Sequence, residues 1–472
     1  MEPGPAQQWG DARRTAARLD AEHVRAIALT WVDNAGIART KTVPTARLAP
    51  AVQRGVGMSP VFDVFTSDDA ITASAHLGGP DGDLRLFPDL ERVTVLAAQP
   101  GWAWAPVDRY DQLGTPHPGC QRQFARRMVD RAADAGLVLR MGFETEWVVT
   151  RAPGGGGPEG GHPDGAAGVG EPLEYPCIGP AYGMTRVVEL SDYLRDVAEA
   201  LALQGVDVLQ LHPEYAQGQF EVSTASADPL RAADDLVLVR ETVRAVSLRH
   251  GLRASFAPTV VAGQVGNGCH LHLSLHRGER SLHRDPDAEW GLDPDALRFL
   301  GGVLDALPAL LAVGCPSPAS YLRLGPSVWA GAYQCWGVEN REAALRLVTG
   351  APGDPDGGHA EIKPFDAAAN PYLAVGAVIA AGLHGLSTGT ALPPPVTGDP
   401  GVLGVRERAR RGIVRLPTSL TESTDRLAES ATLREAMGEV LHGAVIAVRR
   451  AEATHFADSE PDEIAAATRW RY

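Results

Sequence analysis

Two glutamates, Glu144 and Glu146, stand two residues apart in the apolar segment GFETEWVV. In a β-strand, residues two apart project from the same face, so the two carboxylates would lie side by side. Burying two carboxylates together is costly unless cations are present. A solvated strand face explains this segment equally well, so the segment alone leaves both interpretations open.

The same pattern recurs in three later segments. HPEYAQGQFEVS carries Glu214 and Glu221 around a glycine-containing turn, NGCHLHLSL carries His270 and His272 on one strand face, and HAEIKPFDAAANPY carries Glu361 on a strand just before a helix. A lone strand histidine is usually a core or surface group, but four such segments favour a shared site. Carboxylates joined by one imidazole suit hard divalent cations, and oxygen-rich sites favour Mg²⁺ or Mn²⁺ over zinc.

A group of basic residues complements these acids. Arg323 lies in YLRL, Arg341 and Arg346 lie in NREAALR, and Lys363 follows Glu361 by two residues. On their own, these side chains could simply be solvated at the surface. Beside a metal–carboxylate site, guanidinium groups suit phosphate and carboxylate recognition, and this combination is typical of phosphoryl transfer.

The composition limits the class of protein that positions these residues. The chain has 472 residues, more than the roughly 250–300 at which one core stops growing, so we expect two domains. The net charge of −15 argues against nucleic acid or an anionic membrane as a partner. Five widely spaced cysteines, a polar N-terminus without a signal peptide and no run of about 18 apolar residues predict a cytoplasmic protein without a membrane span.

Strand and helix patterns divide the chain into two unequal parts. Residues 1–20 form a tail, 21–115 a strand-rich domain and 116–472 a larger α+β domain with an antiparallel sheet backed by helices. Residues 151–170 are rich in glycine and proline and predict a surface insertion. Beyond the insertion, alternation and periodicity predict the helices 191–204, 228–249, 294–312, 366–387 and 419–448, and the strands 207–211, 218–224, 253–257 and 268–275.

Six segments together resemble the glutamine synthetase family, class I-like. They are FETE, HPEYAQGQFE, GNGCHLHLS, RLGPSVW, NREAALR and EIKPFDAAANPYL, and the resemblance covers about residues 20–472. It implies the glutamine synthetase fold, with an N-terminal β-grasp domain and a catalytic domain. It also implies a homo-oligomer, a dodecamer of two stacked hexameric rings.

The resemblance implies a role for each matching residue. Glu146, Glu214 and Glu221 match ligands of one metal ion, and Glu144, His270 and Glu361 match ligands of a second. The remaining matches are nucleotide contacts at His272 and Ser274, substrate contacts at Gly266 and Arg323, and phosphate-facing groups at Arg341, Arg346 and Lys363. The implied reaction uses ATP and two or more Mg²⁺ or Mn²⁺ ions to convert glutamate into a γ-glutamyl phosphate, which an amine then captures.

Several positions differ from the pattern of ammonia-using members. Trp329 stands where the resemblance places a catalytic glutamate, Val265 replaces an asparagine, and Lys363 and His359 replace arginines. Tryptophan cannot accept a proton, but its ring can stack on an alkyl ammonium group. We therefore predict a polyamine or small monoamine as the acceptor, as in γ-glutamylpolyamine and γ-glutamyl-monoamine synthetases. An ammonia-using glutamine synthetase, a non-catalytic relative and a ligase for another acid remain alternatives.

Overall fold

The computed structural model describes residues 5–152 and 173–472. Residues 153–170 of the predicted surface insertion lie outside the described residues. Over the described part, the strands form a six-stranded and a ten-stranded sheet, each accompanied by helices. This arrangement confirms the predicted α+β class, with a small N-terminal sheet and a larger sheet backed by helices.

The N-terminal sheet contains six strands, of which the first two form a hairpin. Its strands are β1 (Ala26–Val32), β2 (Ala38–Pro44), β3 (Val56–Met58), β4 (Leu84–Pro88), β5 (Thr94–Val95) and β6 (Trp102–Tyr110). The spatial order is β2-β1-β6-β4-β3, with β5 beside β6, and β1 runs parallel to β6. The sequence analysis did not predict β6, because the strand contains a proline and two charged residues. One of those charges, Arg109, is buried in an ion pair with Asp63 at 2.7 Å.

The hairpin turn anchors this sheet to the rest of the molecule. Gly36 has φ +88°, and a Cβ there would lie 1.8 Å from the carbonyl oxygen of Ala368. The side-chain amide of Asn370 donates to the carbonyls of Val32 at 2.9 Å and Asp33 at 3.0 Å. Only glycine permits so close a backbone approach, so the turn sequence fixes how the two sheets meet.

The larger sheet carries the residues with candidate chemistry. Its strands are β7 (Val138–Arg151), β8 (Val208–Pro213), β9 (Gln219–Thr224), β10 (Leu252–Ser255), β11 (Cys269–Arg277), β12 (Arg280–Ser281), β13 (Tyr333–Val338), β14 (Ala343–Val348), β15 (His359–Ile362) and β16 (Val414–Arg415). The main order is β16-β13-β14-β15-β11-β7-β9-β8. Among the described strand pairs of this sheet, β13–β14 is parallel and the others are antiparallel.

Thirteen α-helices accompany the two sheets in the described part of the chain. They are α1 (Pro5–Ala21), α2 (Leu48–Arg54), α3 (Gln121–Asp134), α4 (Met184–Glu189), α5 (Ser191–Leu203), α6 (Pro229–Arg249), α7 (Pro294–Gly314), α8 (Pro318–Arg323), α9 (Pro371–Thr388), α10 (Val405–Arg410), α11 (Leu420–Glu429), α12 (Ala431–His455) and α13 (Pro461–Thr468). On β7, Phe143, Trp147 and Val149 are at most 3% exposed in the main core. Their burial leaves Glu144 and Glu146 on the other face.

Two helices, α7 and α9, are long and apolar enough to cross a membrane by length and composition alone. In each, 72% of the most apolar window is buried inside the fold, as expected of core helices. The predicted helix 366–387 begins only at Pro371, because Asn370 caps it by accepting from the amides of Tyr372 and Leu373. The single helical pattern predicted over 419–448 is wrong in one respect, since Ser430 separates α11 from α12 and caps the latter.

Candidate active site

Three neighbouring strands bring Glu144, His270 and Glu361 together. His270 lies directly opposite Glu144 in the β11–β7 register. Its Nδ1 atom is 3.2 Å from Glu144 Oε2 and 3.0 Å from Glu361 Oε1. One ligand atom from each of the three side chains falls within 4.8 Å of the others, so the predicted set converges on one point.

The pKa values of this first group are shifted by the close contact between its imidazole and its two carboxylates. Burial and Lys363 lower the pKa of His270, but hydrogen bonds to Glu144 and Glu361 outweigh them and raise it to about 9. Burial opposes ionisation of both glutamates, yet His270 holds the pKa of each carboxyl below its ordinary value. Two carboxylates and one imidazole that converge on one point suit a divalent cation, which would bind the imidazole in its neutral form.

A second group lies on strands β8 and β9 and contains one residue that was not predicted. His212, Glu214 and Glu221 each place a ligand atom within 4.8 Å of the others. His212 Nε2 is 3.3 Å from Glu221 Oε1, and Nδ1 is 3.7 Å from Glu214 Oε1. The hydrogen bond to Glu221 is the main cause that raises the pKa of His212 to about 9. The spacing of two between His212 and Glu214 was an available signal in HPE.

Glu146 stands directly opposite Glu221, between the two groups. Its Oε2 atom accepts from the backbone amide of Gly268 at 2.9 Å and from the Gln219 side-chain amide at 3.0 Å. Burial raises the pKa of Glu146 to about 7, and the charges of Glu221 and Glu214 act in the same direction. Its carboxylate is therefore next to the second group, and its role as a metal ligand stays a prediction.

Gly268 lies between the two groups. A Cβ at this position would lie 2.5 Å from His270 Nε2 and 3.3 Å from Glu146 Oε1. A side chain would therefore fill the space that separates the carboxylate sets. The glycine of GNGCH keeps this space open.

The basic residues meet the first group at Glu361. Arg346 lies opposite Glu361 in the β14–β15 register, and its Nη1 is 3.2 Å from Glu361 Oε2. Lys363 is buried, with its Nζ 3.1 Å from Glu361 Oε1. Arg341 is exposed in the turn before β14. The structure thus brings Arg346 and Lys363 to the carboxylates and leaves Arg341 at the surface.

Gly266 and Arg323 lie against each other on the side of Glu146. A Cβ on Gly266 would be 2.8 Å from Arg323 Cγ. Arg323 donates to the carbonyls of Pro364 and Phe365, the latter at 2.9 Å. The Gln219 amide that donates to Glu146 also donates to the carbonyl of Gly266 at 3.0 Å. The predicted substrate residues are therefore connected to the carboxylates through Gln219, which the sequence analysis did not single out.

The predicted nucleotide residues follow His270 along the same face of β11. His272 Nε2 is 3.4 Å from Glu144 Oε1, and its ring centroid is 5.0 Å from that of His359. Ser274 Oγ is 3.0 Å from His276 Nε2. A row of imidazole and hydroxyl groups thus extends from the first carboxylate group along one strand.

Two exposed aromatic residues, Tyr182 and Trp329, have different surroundings. Tyr182 donates its hydroxyl to Glu214 Oε1 at 2.7 Å, and its ring lies 5.8 Å from that of His212. Trp329 is 60% exposed in the loop before β13, and its backbone amide donates to Glu342 at 2.7 Å. Tyr182 lies in a loop after the Gly-rich segment, and no periodic sequence pattern there predicts its contact with Glu214.

Comparison with known proteins identifies the family of this chain. The family model of the glutamine synthetase catalytic domain matches residues 118–466, and that of the N-terminal domain matches residues 11–113. The chain therefore belongs to the glutamine synthetase family.

Individual relatives match over almost the whole chain. Gamma-glutamylpolyamine synthetase GlnA3 of Streptomyces coelicolor is 53% identical, covering 100% of this chain and 99% of the relative. Glutamate–methylamine ligase of Methyloversatilis universalis is 29% identical over 93% of each chain. The crystal structure of a glutamine synthase homologue superposes with a TM-score of 0.83 at 32% identity, covering 95% of this chain and 99% of that one.

Proposed function

We propose that this carboxylate–amine ligase uses ATP to join the γ-carboxylate of glutamate to a polyamine or a small monoamine. The observation that carries the proposal is the pair of adjacent carboxylate–imidazole groups, with Gly268 between them. Arg346 and Lys363 contact the first group at Glu361. A site for two cations next to basic groups would neutralise the charges of two reacting anions, a carboxylate and a phosphate.

The donor atoms fit Mg²⁺ or Mn²⁺. Glu144, His270 and Glu361 would hold one ion, and Glu146, Glu214 and Glu221 a second, with His212 close by. The raised pKa of Glu146 supports this assignment, because a neighbouring cation would offset the burial of its carboxylate. When bound, the ions supply charge neutralisation for the phosphates of ATP and for the attacking carboxylate.

The chain's own residues orient the reactants. Arg323 and Gly266 bind the glutamate, His272 and Ser274 contact the nucleotide, and Arg346 and Lys363 face the transferred phosphate. Arg341, in the exposed turn before β14, is the third basic group assigned to this phosphate. The γ-carboxylate attacks the γ-phosphorus of ATP and ADP leaves. The neutral amine then attacks the acyl carbon, and inorganic phosphate and a proton are released.

The acceptor is assigned from the aromatic residues. Trp329 presents an exposed indole where a proton-accepting glutamate would suit ammonia, and Tyr182 adds a ring beside Glu214. Aromatic faces and carboxylates together recognise alkylammonium groups. The relatives named for a polyamine and for methylamine are consistent with a carbon-bearing acceptor.

Assembly and location form part of the same proposal. We infer a homo-oligomer, a dodecamer by family resemblance, acting in the cytoplasm. The five cysteines are all free and buried, which suits a reducing compartment. Light scattering of the purified protein should give the mass of twelve chains, whereas a monomer of 49.9 kDa would contradict the inference.

Phosphate release with a panel of amines tests the proposed reaction. Purified protein with Mg²⁺, ATP and glutamate should release phosphate with putrescine, spermidine or ethanolamine faster than with ammonium. Preference for ammonium would identify a glutamine synthetase instead. No release with any amine, in protein that binds ATP, would favour a non-catalytic relative, and release only with a glutamate analogue would identify another acid.

A further inference from the structure

A buried carboxylate, Glu342, holds the loop that carries Trp329. Glu342 is the last residue before β14 and is 8% exposed. Its Oε1 atom accepts from the backbone amide of Trp329 at 2.7 Å, and its carboxylate also interacts with the backbone amide of Ser327. The Glu342 side chain is therefore hydrogen-bonded to the backbone of the loop that carries Trp329.

The loop needs this support because of its backbone conformation. Ser327 has φ +58° and Trp329 has φ +62°, in the left-handed region that residues other than glycine rarely adopt. Such conformations persist when surrounding contacts determine them. A carboxylate that accepts from backbone amides supplies strong, directional contacts.

Glu342 is itself fixed from the other side. Its backbone amide donates to Asn340 Oδ1 at 3.0 Å. The Asn340 side chain in turn donates to the carbonyls of Val396 at 2.8 Å and Gly398 at 2.9 Å. Hydrogen bonds therefore connect the loop, through Glu342 and Asn340, to the segment 396–398.

The loop continues directly to the candidate active site. A Cβ on Gly331 would lie 2.9 Å from Ala344 Cα and 3.2 Å from Lys363 Cβ. Lys363 contacts Glu361 in the first carboxylate group. Displacement of Trp329 would therefore change the wall of the site, although Glu342 does not itself contact that carboxylate group.

We propose that Glu342 is a positioning residue for the acceptor amine: it fixes the loop 325–331 so that the exposed indole of Trp329 binds the amine's alkyl chain. The inference rests on the proposed function, because it assumes an amine acceptor. Glu342 would act through the backbone of this loop. Its substitution should therefore weaken acceptor binding more than it slows the reaction of ATP with glutamate.

A double-mutant cycle tests the coupling. In the full-length protein, Glu342→Ala should raise the KM for the preferred amine about tenfold, while the KM values for ATP and glutamate stay within about twofold. Trp329→Ala should raise the amine KM by a similar factor. The double variant should be no worse than Trp329→Ala, because the two residues act as a unit. Glu342→Gln keeps one acceptor oxygen and should restore part of the loss.

The controls separate this role from a loss of folding or of the reaction. Glu407→Ala, which removes a partly exposed carboxylate on α10, should leave all KM values unchanged. An unchanged amine KM in Glu342→Ala, equal rises in all KM values, or additive effects in the double variant would each overturn the proposal. Failure of the wild-type protein to ligate any amine would instead overturn the proposed function.

Discussion

Glu361 is the residue at which the charges of the site meet. His270, Arg346 and Lys363 all place a nitrogen within 3.2 Å of its carboxylate, which is 1% exposed. A buried carboxylate surrounded by cationic groups is ionised, and removing its charge leaves those groups without compensation. The balance of the first carboxylate group therefore depends on this one side chain.

Neutralising Glu361 should abolish most of the activity. We expect Glu361→Gln to lower kcat on the order of 10²-fold or more, because the charge that holds His270 and a cation is lost. Steady-state phosphate release at saturating Mg²⁺ measures the effect. Glu174→Gln, which alters an exposed glutamate paired with Arg151, is the matched control and should retain activity. Wild-type kcat in Glu361→Gln would contradict the assignment of this residue.

His283 is a buried histidine with a different consequence. It is 7% exposed, and neither ring nitrogen has a hydrogen-bond partner among the described residues. Burial, with the charges of His359 and His276, lowers its pKa to about 3. The unfolded chain then binds more protons than the folded protein below pH 6.5, so stability is lost as the pH falls through this range.

Replacing His283 should reduce acid sensitivity. Between pH 7 and pH 5 this histidine should remove about 2 kcal/mol of unfolding free energy, and His283→Leu should lack that loss. Urea unfolding at both pH values measures the difference. His76→Leu, at an exposed histidine, should keep the wild-type dependence on pH. An identical slope in His283→Leu and wild type would show that His283 is not buried in its neutral form.

At the scale of elements, strand register places the site. Alternation along β7 and β11 predicted that Glu144 shares a face with Glu146 and His270 with His272, and the strand register then brings Glu144 opposite His270. The sequence could not predict which strands are neighbours. Glu361 on β15 and Glu144 on β7 come together because both strands pair with β11, and the three strands are far apart along the chain. Glu342 and Tyr182 lie outside strands and helices, where neither period 2 nor period 3.6 applies.

The packing of α7 on α9 depends on glycine. A Cβ on Gly302 would lie 2.4 Å from the carbonyl oxygen of Ala381 and 2.6 Å from Gly385 Cα, both backbone atoms. Gly302→Ala should therefore lower the unfolding free energy by about 1–3 kcal/mol through overpacking. Gly443→Ala, on α12 with no atom within 4 Å of the added Cβ, should raise it by roughly 0.5–1 kcal/mol. Chemical denaturation measures both, and equal effects would contradict this packing.

At the scale of the whole molecule, the acidic groups of the site couple cation binding to the free energy of unfolding. The folded state raises the pKa of Glu146 to about 7, chiefly by burial. The folded protein therefore binds more protons than the unfolded chain between pH 4.5 and pH 7. Without divalent cations, the contribution of Glu146 to the free energy of unfolding is fully present below pH 4.5 and declines as the pH rises through 7.

Divalent cations should reverse this loss. Mg²⁺ or Mn²⁺ binds the folded carboxylates and not the unfolded chain, so it should raise the melting temperature at pH 8 more than at pH 6. Thermal unfolding with and without chelator measures the shift. Glu146→Gln should show a smaller gain at pH 8 than wild type. A melting temperature that does not respond to either ion would contradict the paired-cation site.

The most direct measurement is a competition for acceptor. Purified protein, Mg²⁺, ATP and glutamate are incubated with equal concentrations of putrescine and ammonium, and the products are quantified by mass spectrometry. The account predicts that γ-glutamylputrescine exceeds glutamine and that its formation requires ATP. Glutamine as the main product, or no γ-glutamyl product in protein that binds ATP, would contradict it.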